Sequence, residues 1–130
     1  MDTMCVHATT IRSAITVADA RDTTRAFLEA LRQPAVNSET ADTAVLVVSE
    51  LVTNALRHGG GTYTLRLTAH PDTIEVAVDD PSSQAPRMRT PDLNDATGGF
   101  GWPMVNRLAR TTAVTHRPSG GKTVSALLPR

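Results

Sequence analysis

Thr40 to Arg57 reads TADTAVLVVSELVTNALR, Thr62 to Ala69 reads TYTLRLTA, and Thr73 to Asp79 reads TIEVAVD. Across these three segments the spacing of apolar side chains changes from about 3.6 residues to 2. The first predicts a mostly buried helix, because Val, Leu and Ala surround nearly the whole rod. Ser38 stands before it as a candidate cap, without the Glu or Gln three residues on that completes a capping box. Gly59, Gly60 and Gly61 end it. The two alternating segments, joined by His70-Pro71-Asp72, predict a β-hairpin.

Upstream, Val6, Ile11, Ile15 and Val17 mark an edge strand somewhere between Cys5 and Val17. Asp19 or Asp22 could cap a helix running to about Arg32, with Ala20, Phe27, Leu28 and Leu31 on one face and Pro34 beyond it. Downstream, Pro81 to Gly99 holds three prolines and no periodicity, a loop of a length that is usually functional or disordered. A short helix then begins near Pro103 and carries Met104, Val105, Leu108 and Ala109 on its apolar face. Thr111 to His116 and Thr123 to Leu128 read as two further strands around the turn Pro118-Ser119-Gly120-Gly121. Consecutive hairpins with helices between them predict an α+β fold, a two-layer α/β sandwich. Its sheet should be mixed and mostly antiparallel, with the helices packed on one face.

The chain has 130 residues, enough for one domain and too few for two, so residues 1–130 are expected to form a single unit. Lys+Arg and Asp+Glu balance at 13 each, which excludes bulk attraction to nucleic acid or an anionic membrane. With 3% aromatic residues, base stacking on aromatic platforms is excluded too. One cysteine, Cys5, permits neither an internal disulfide nor a cysteine zinc site, and no stretch reads as a signal peptide or membrane span. A cytoplasmic location is the expectation. Twelve of the 13 basic residues are Arg, a skew that fits coding bias.

Four places could carry chemistry. Glu50, Asn54 and His58 fall at i, i+4 and i+8 on the long helix, a polar ladder able to hold a hydrated hard cation, position a water and meet a phosphate. Taken alone, the ladder is equally a solvent edge with Asn54 bonded to the backbone. Asp79-Asp80 lies where a strand opens into the long loop, so a carboxylate there could accept a hydrogen bond from an exocyclic amine and select adenine. Taken alone, Asp before Pro is an ordinary turn initiator. Gly98-Gly99-Phe100-Gly101 precedes the short helix and could let backbone N–H groups approach a phosphate chain, or serve as a hinge. Gly120-Gly121-Lys122-Thr123 imitates the end of a P-loop, but a strand follows it, so it reads as a hairpin turn with Thr123 free to face a pocket. His7, His70 and His116 show no ligand spacing.

In order and spacing, these segments resemble the nucleotide-binding domain shared by gyrase, Hsp90, histidine kinases and MutL, most closely the stand-alone bacterial anti-sigma-factor serine/threonine kinases. SELVTNALRHG (Ser49 to Gly59) is similar to that family's N box. VDDPS (Val78 to Ser82) and GGFGWPMV (Gly98 to Val105) resemble its two glycine boxes, and GGKTVSALLP (Gly120 to Pro129) its last strand pair. Pro81 and Ser83 replace glycines usual in the first box, and Trp102-Pro103 replaces an aliphatic pair in the second.

The resemblance implies ATP and Mg2+ as cofactors, with Asn54 as the metal ligand and Glu50 activating the attacking hydroxyl. It puts His58 near the phosphates, Asp79 on the adenine amine, Thr123 in support of that contact, and has Gly99 with Gly101 line an ATP lid over residues 81–99. It further implies phosphoryl transfer to a Ser or Thr of an anti-sigma-factor antagonist, with a sigma factor as the second partner and a homodimer left open. The competing reading is a non-catalytic nucleotide-binding module that only shapes a protein-interaction face. Glu50, which such a module does not need, weighs against it.

Overall fold

The computed structural model describes residues 9–13, 16–32, 35–58, 61–82 and 101–130. Strand β1 (Thr9–Ser13) is followed by helices α1 (Val17–Glu29) and α2 (Ser38–His58), then by β2 (Thr64–Ala69) and β3 (Thr73–Asp80). After the Pro81 to Gly99 stretch, most of which lies outside the described residues, come α3 (Gly101–Leu108), β4 (Thr111–His116) and β5 (Lys122–Pro129). The strands form one five-stranded sheet in the order β1-β2-β3-β5-β4. All four described pairings are antiparallel, so the sheet is less mixed than expected.

Local chemistry sets the helix starts. The α1 cap is Thr16, not Asp19 or Asp22: its backbone is extended and its hydroxyl accepts from Asp19 N at 3.0 Å. Asp19 instead lies in the first turn, where its charge complements the helix dipole. At α2 the side chain of Asn37, not Ser38, accepts from Thr40 N at 2.8 Å, which starts the helix two residues before the periodic run. Helix α3 begins at Gly101, leaving Pro103 in the first turn where its missing N–H has no partner to lose. Asn106 then ties this helix to β4, since its amide oxygen accepts from the Thr112 hydroxyl at 2.6 Å.

Helices cover one face of the sheet. Val47, Val48, Leu51, Val52 and Ala55 of α2 join Phe27 and Leu28 of α1 and Val105 of α3 against Leu65, Leu67, Ile74, Val76, Val78, Val124, Ala126 and Leu128. Along β3 and β5 the core-facing residues alternate with residues on the outer face, as the pleat requires. Leu46 and Leu56 of α2 remain 40% and 39% exposed, so that helix is buried on most of its circumference rather than all of it. Among the described residues no helix is long and apolar enough to cross a membrane.

The turn between β4 and β5 is clamped against the end of β3. Gly120 and Gly121 have φ of 101° and 81°, and a Cβ built on Gly121 would overlap the Asp80 carbonyl oxygen. Nothing lies within 4 Å of a Cβ on Gly120. Gly120→Ala should therefore cost only the left-handed backbone strain, about 1–2 kcal/mol. Gly121→Ala should cost distinctly more, because a backbone atom must move as well. Urea unfolding of the two variants checks the order, and equal losses would mean that the contact at Asp80 relaxes freely.

Candidate functional site

Helix α2 packs against β3 and β5, while among the described residues the cleft at the end of β3 is lined by Asp79 and Asp80 and by no residue of α2. Glu50 and Asn54 are one turn apart and half-buried, between the buried pairs Val47–Val48 and Leu51–Val52 and beside Ala55. Burial pushes the Glu50 carboxyl above its ordinary 4.5, against the opposing charge of Arg57. His58 is the last residue of α2, and its side chain lies outside the described residues, as does Gly99. Gly101 opens α3, whose packing against α2 brings the two helices together.

The two acidic residues at the end of β3 part company. Asp79 is on the outer face, in a cross-strand row with Thr64 on one side and Thr123 on the other. Both of its oxygens are engaged: Arg66 donates through Nη2 to Oδ1 at 2.9 Å and through Nε to Oδ2 at 3.2 Å, and the Thr123 hydroxyl donates to Oδ1 at 2.5 Å. Burial raises the Asp79 carboxyl, but the Arg66 and Thr123 hydrogen bonds, with the charges of Arg66 and Arg117, outweigh it and hold the group below its ordinary 3.8. The stability this contributes is present above that value and is lost as pH falls through the depressed one. Asp79 and Thr123, which the resemblance places together at the base, share a direct hydrogen bond on the face away from α2, with Arg66 as the carboxylate's other ligand.

Asp80 turns the other way. It follows Val76 and Val78 in the alternation and is 3% exposed. Its Oδ1 accepts from Lys122 Nζ at 2.9 Å and from Ser82 N at 2.9 Å, and Lys122 is equally buried as its cross-strand neighbour on β5. Arg117 Nη2 donates to the Asp80 carbonyl at 3.3 Å. An open cleft of about 300 Å³ runs along this end of the sheet, lined by Ser13, Thr62, Tyr63, Asp79, Asp80 and Arg117 among others. Its size matches the lower end of small-ligand sites.

Lys122 and Arg66 did not stand out in the sequence, and Asp80 did so only as the neighbour of Asp79. Period-2 alternation carried one residue further does find Asp80, since Ile74, Val76 and Val78 face inward and so must it. The same count sends Asp79 outward.

A family model of the histidine kinase-like ATPase domain matches residues 14–127. Among solved structures, the chain is similar to the crystal structure of the RsbU and RsbW domains of a Mycobacterium tuberculosis protein, with a TM-score of 0.65 and 16% identity. That similarity covers 96% of this chain and 33% of the other, so the chain spans about a third of the length of the structure it matches. At this identity the likeness is one of fold. No curated protein matches the sequence.

Proposed function

The chain belongs to the histidine kinase-like ATPase domain family, and from that premise we propose that it binds Mg-ATP between α2 and the ends of β3 and β5 and transfers the γ-phosphoryl group to a Ser or Thr hydroxyl of a partner protein. The partner proposed is an anti-sigma-factor antagonist, with a sigma factor as the second protein held by the same regulator in the cytoplasm. Support comes from the family match and from the N-box-like segment Ser49 to Gly59. The observation that carries the reading is the Glu50–Asn54 pair, a carboxylate and an amide one turn apart, both half-buried beside the core residues Val47, Val48, Leu51, Val52 and Ala55 of the same helix.

The donors suit the metal. Among the described residues no cluster of three or more His, Cys, Asp or Glu could hold an ion alone. Mg2+ characteristically takes one or two protein oxygens and completes its shell with phosphates and water, and the Asn54 amide oxygen is a hard donor of that kind. When bound, it would neutralise charge on the β- and γ-phosphates. In this proposal Glu50 accepts the proton of the attacking hydroxyl as the new P–O bond forms and ADP leaves with its bridging oxygen. His58, Gly99 and Gly101 are proposed to meet the phosphates. Base recognition is proposed for Asp80 and not Asp79, whose two oxygens already bind Arg66 and Thr123.

Calorimetric titration with ATP, with and without Mg2+, tests the reading. The wild-type chain should bind ATP more tightly with the metal present, and Asn54→Ala should lose about 10–100-fold of affinity in Mg2+ while keeping its metal-free affinity. Identical titrations for the two proteins would remove Asn54 from the site, and absence of ATP binding by the wild type would remove the function.

A further inference from the structure

Lys122 is the chain's single lysine beside twelve arginines, and it is buried against Asp80, which itself lines the cleft. An ion pair with both side chains 3–4% exposed is weak as a stabiliser, because hydrophobic replacements of equal volume often serve as well. Stability alone therefore gives little reason for a charged pair here. We infer that Lys122 is a base-recognition residue: together with Asp80 it offers the donor and the acceptor that the ring nitrogen N1 and the adjacent exocyclic amine of adenine require. The inference rests on the nucleotide reading above.

The atoms are suitably disposed. Among the described residues, both bonds to the Asp80 carboxylate fall on Oδ1, from Lys122 Nζ and Ser82 N, so Oδ2 remains to accept from the amine. The ammonium has three N–H groups, of which one goes to Asp80 Oδ1 and a long one, at 3.5 Å, to the Ser82 carbonyl. A third can reach the base. Lysine, a compact point donor on a flexible stem, can turn between these acceptors, whereas the planar fork of arginine would be fixed on the carboxylate. Thr123, the next residue, faces the outer side with Asp79 and is separated from this pair by the sheet itself.

The test compares Mg-ATP with an ATP analogue carrying C–H in place of adenine N1, titrated into the wild-type chain and into Lys122→Met. The wild type should bind the analogue about 10–100-fold more weakly, the loss expected for one hydrogen bond from a charged donor. Lys122→Met should bind ATP as weakly as the wild type binds the analogue, and should not distinguish the two. The wild-type comparison needs no variant, so it decides the matter even where Lys122→Met does not fold. Equal wild-type affinity for ATP and the analogue overturns the inference and leaves the proposed function standing. A Lys122→Met chain that binds ATP more tightly than wild type also overturns it, by making the ammonium a competitor for the carboxylate. No binding of either nucleotide by the wild type would fell both.

Discussion

Lys122→Met is expected to lower the free energy of unfolding by about 3–5 kcal/mol, the loss seen when one member of a buried ion pair is removed and the other is left uncompensated. Asp80 would keep the Ser82 N–H but lose the ammonium at 2.9 Å, in a position 3% exposed to water. Against a total stability of about 5–15 kcal/mol, that is a large fraction. The double variant Asp80→Leu with Lys122→Met should recover most of the loss, because it removes both charges together and fills the space with carbon. The buried pair should also hold its strength as salt is raised. Arg25 and Asp42, whose side chains are 51% and 69% exposed at 3.3 Å, should contribute little at any ionic strength and less at high salt. Denaturant midpoints for the two singles, the double and the wild type form a cycle that reads the coupling directly. A single-variant loss below about 1 kcal/mol, the scale of an exposed pair, would show that solvent reaches the pair and that burial does not govern it.

Glu50→Gln should reduce phosphoryl transfer to the partner hydroxyl by about 10²–10⁴-fold while changing ATP affinity only a few-fold, since a positioned general base acts in the transition state. The wild-type rate should rise with pH as Glu50 loses its proton. Burial raises this carboxyl and Arg57 only partly opposes it, so the acid limb is expected above 4.5 and should vanish in Glu50→Gln. Linkage gives the matching sign for stability: a carboxyl raised by folding contributes fully below 4.5, and that contribution is lost as pH climbs through the folded value. At neutral pH the variant should therefore be no less stable than wild type. A rate loss under about tenfold, falling short of the general-base range, would assign Glu50 to packing or to water structure instead.

The helices and strands were legible where one period ran without interruption. Thr40 to Arg57, the Thr62–Ala69 and Thr73–Asp79 alternations and Thr111–His116 all became elements within two residues of their expected ends. Helix starts were less legible, because Thr16 and Asn37 outcompeted the nearby Asp and Ser by geometry that apolar spacing does not encode. On the α2 ladder Glu50 and Asn54 are half-buried, between the ligand-facing and solvent-edge readings that their spacing left open. The Asp80–Lys122 pair was out of reach of local reading. The two residues are 42 apart in sequence, and only the crossover through α3 and β4 lays β5 beside β3 in the register that joins them. Asp79 and Asp80 look interchangeable in a string of letters, and the pleat alone tells them apart.

That division has an evolutionary consequence. Adding or deleting one residue inside β3 would exchange its two carboxylates, delivering Asp79 to the helices and Asp80 to the arginine on the far side. Length variation among descendants of this chain should then collect at the His70–Asp72 bend and be purged from Thr73 to Asp80, whereas point changes on the outward positions of the same strand drift more freely.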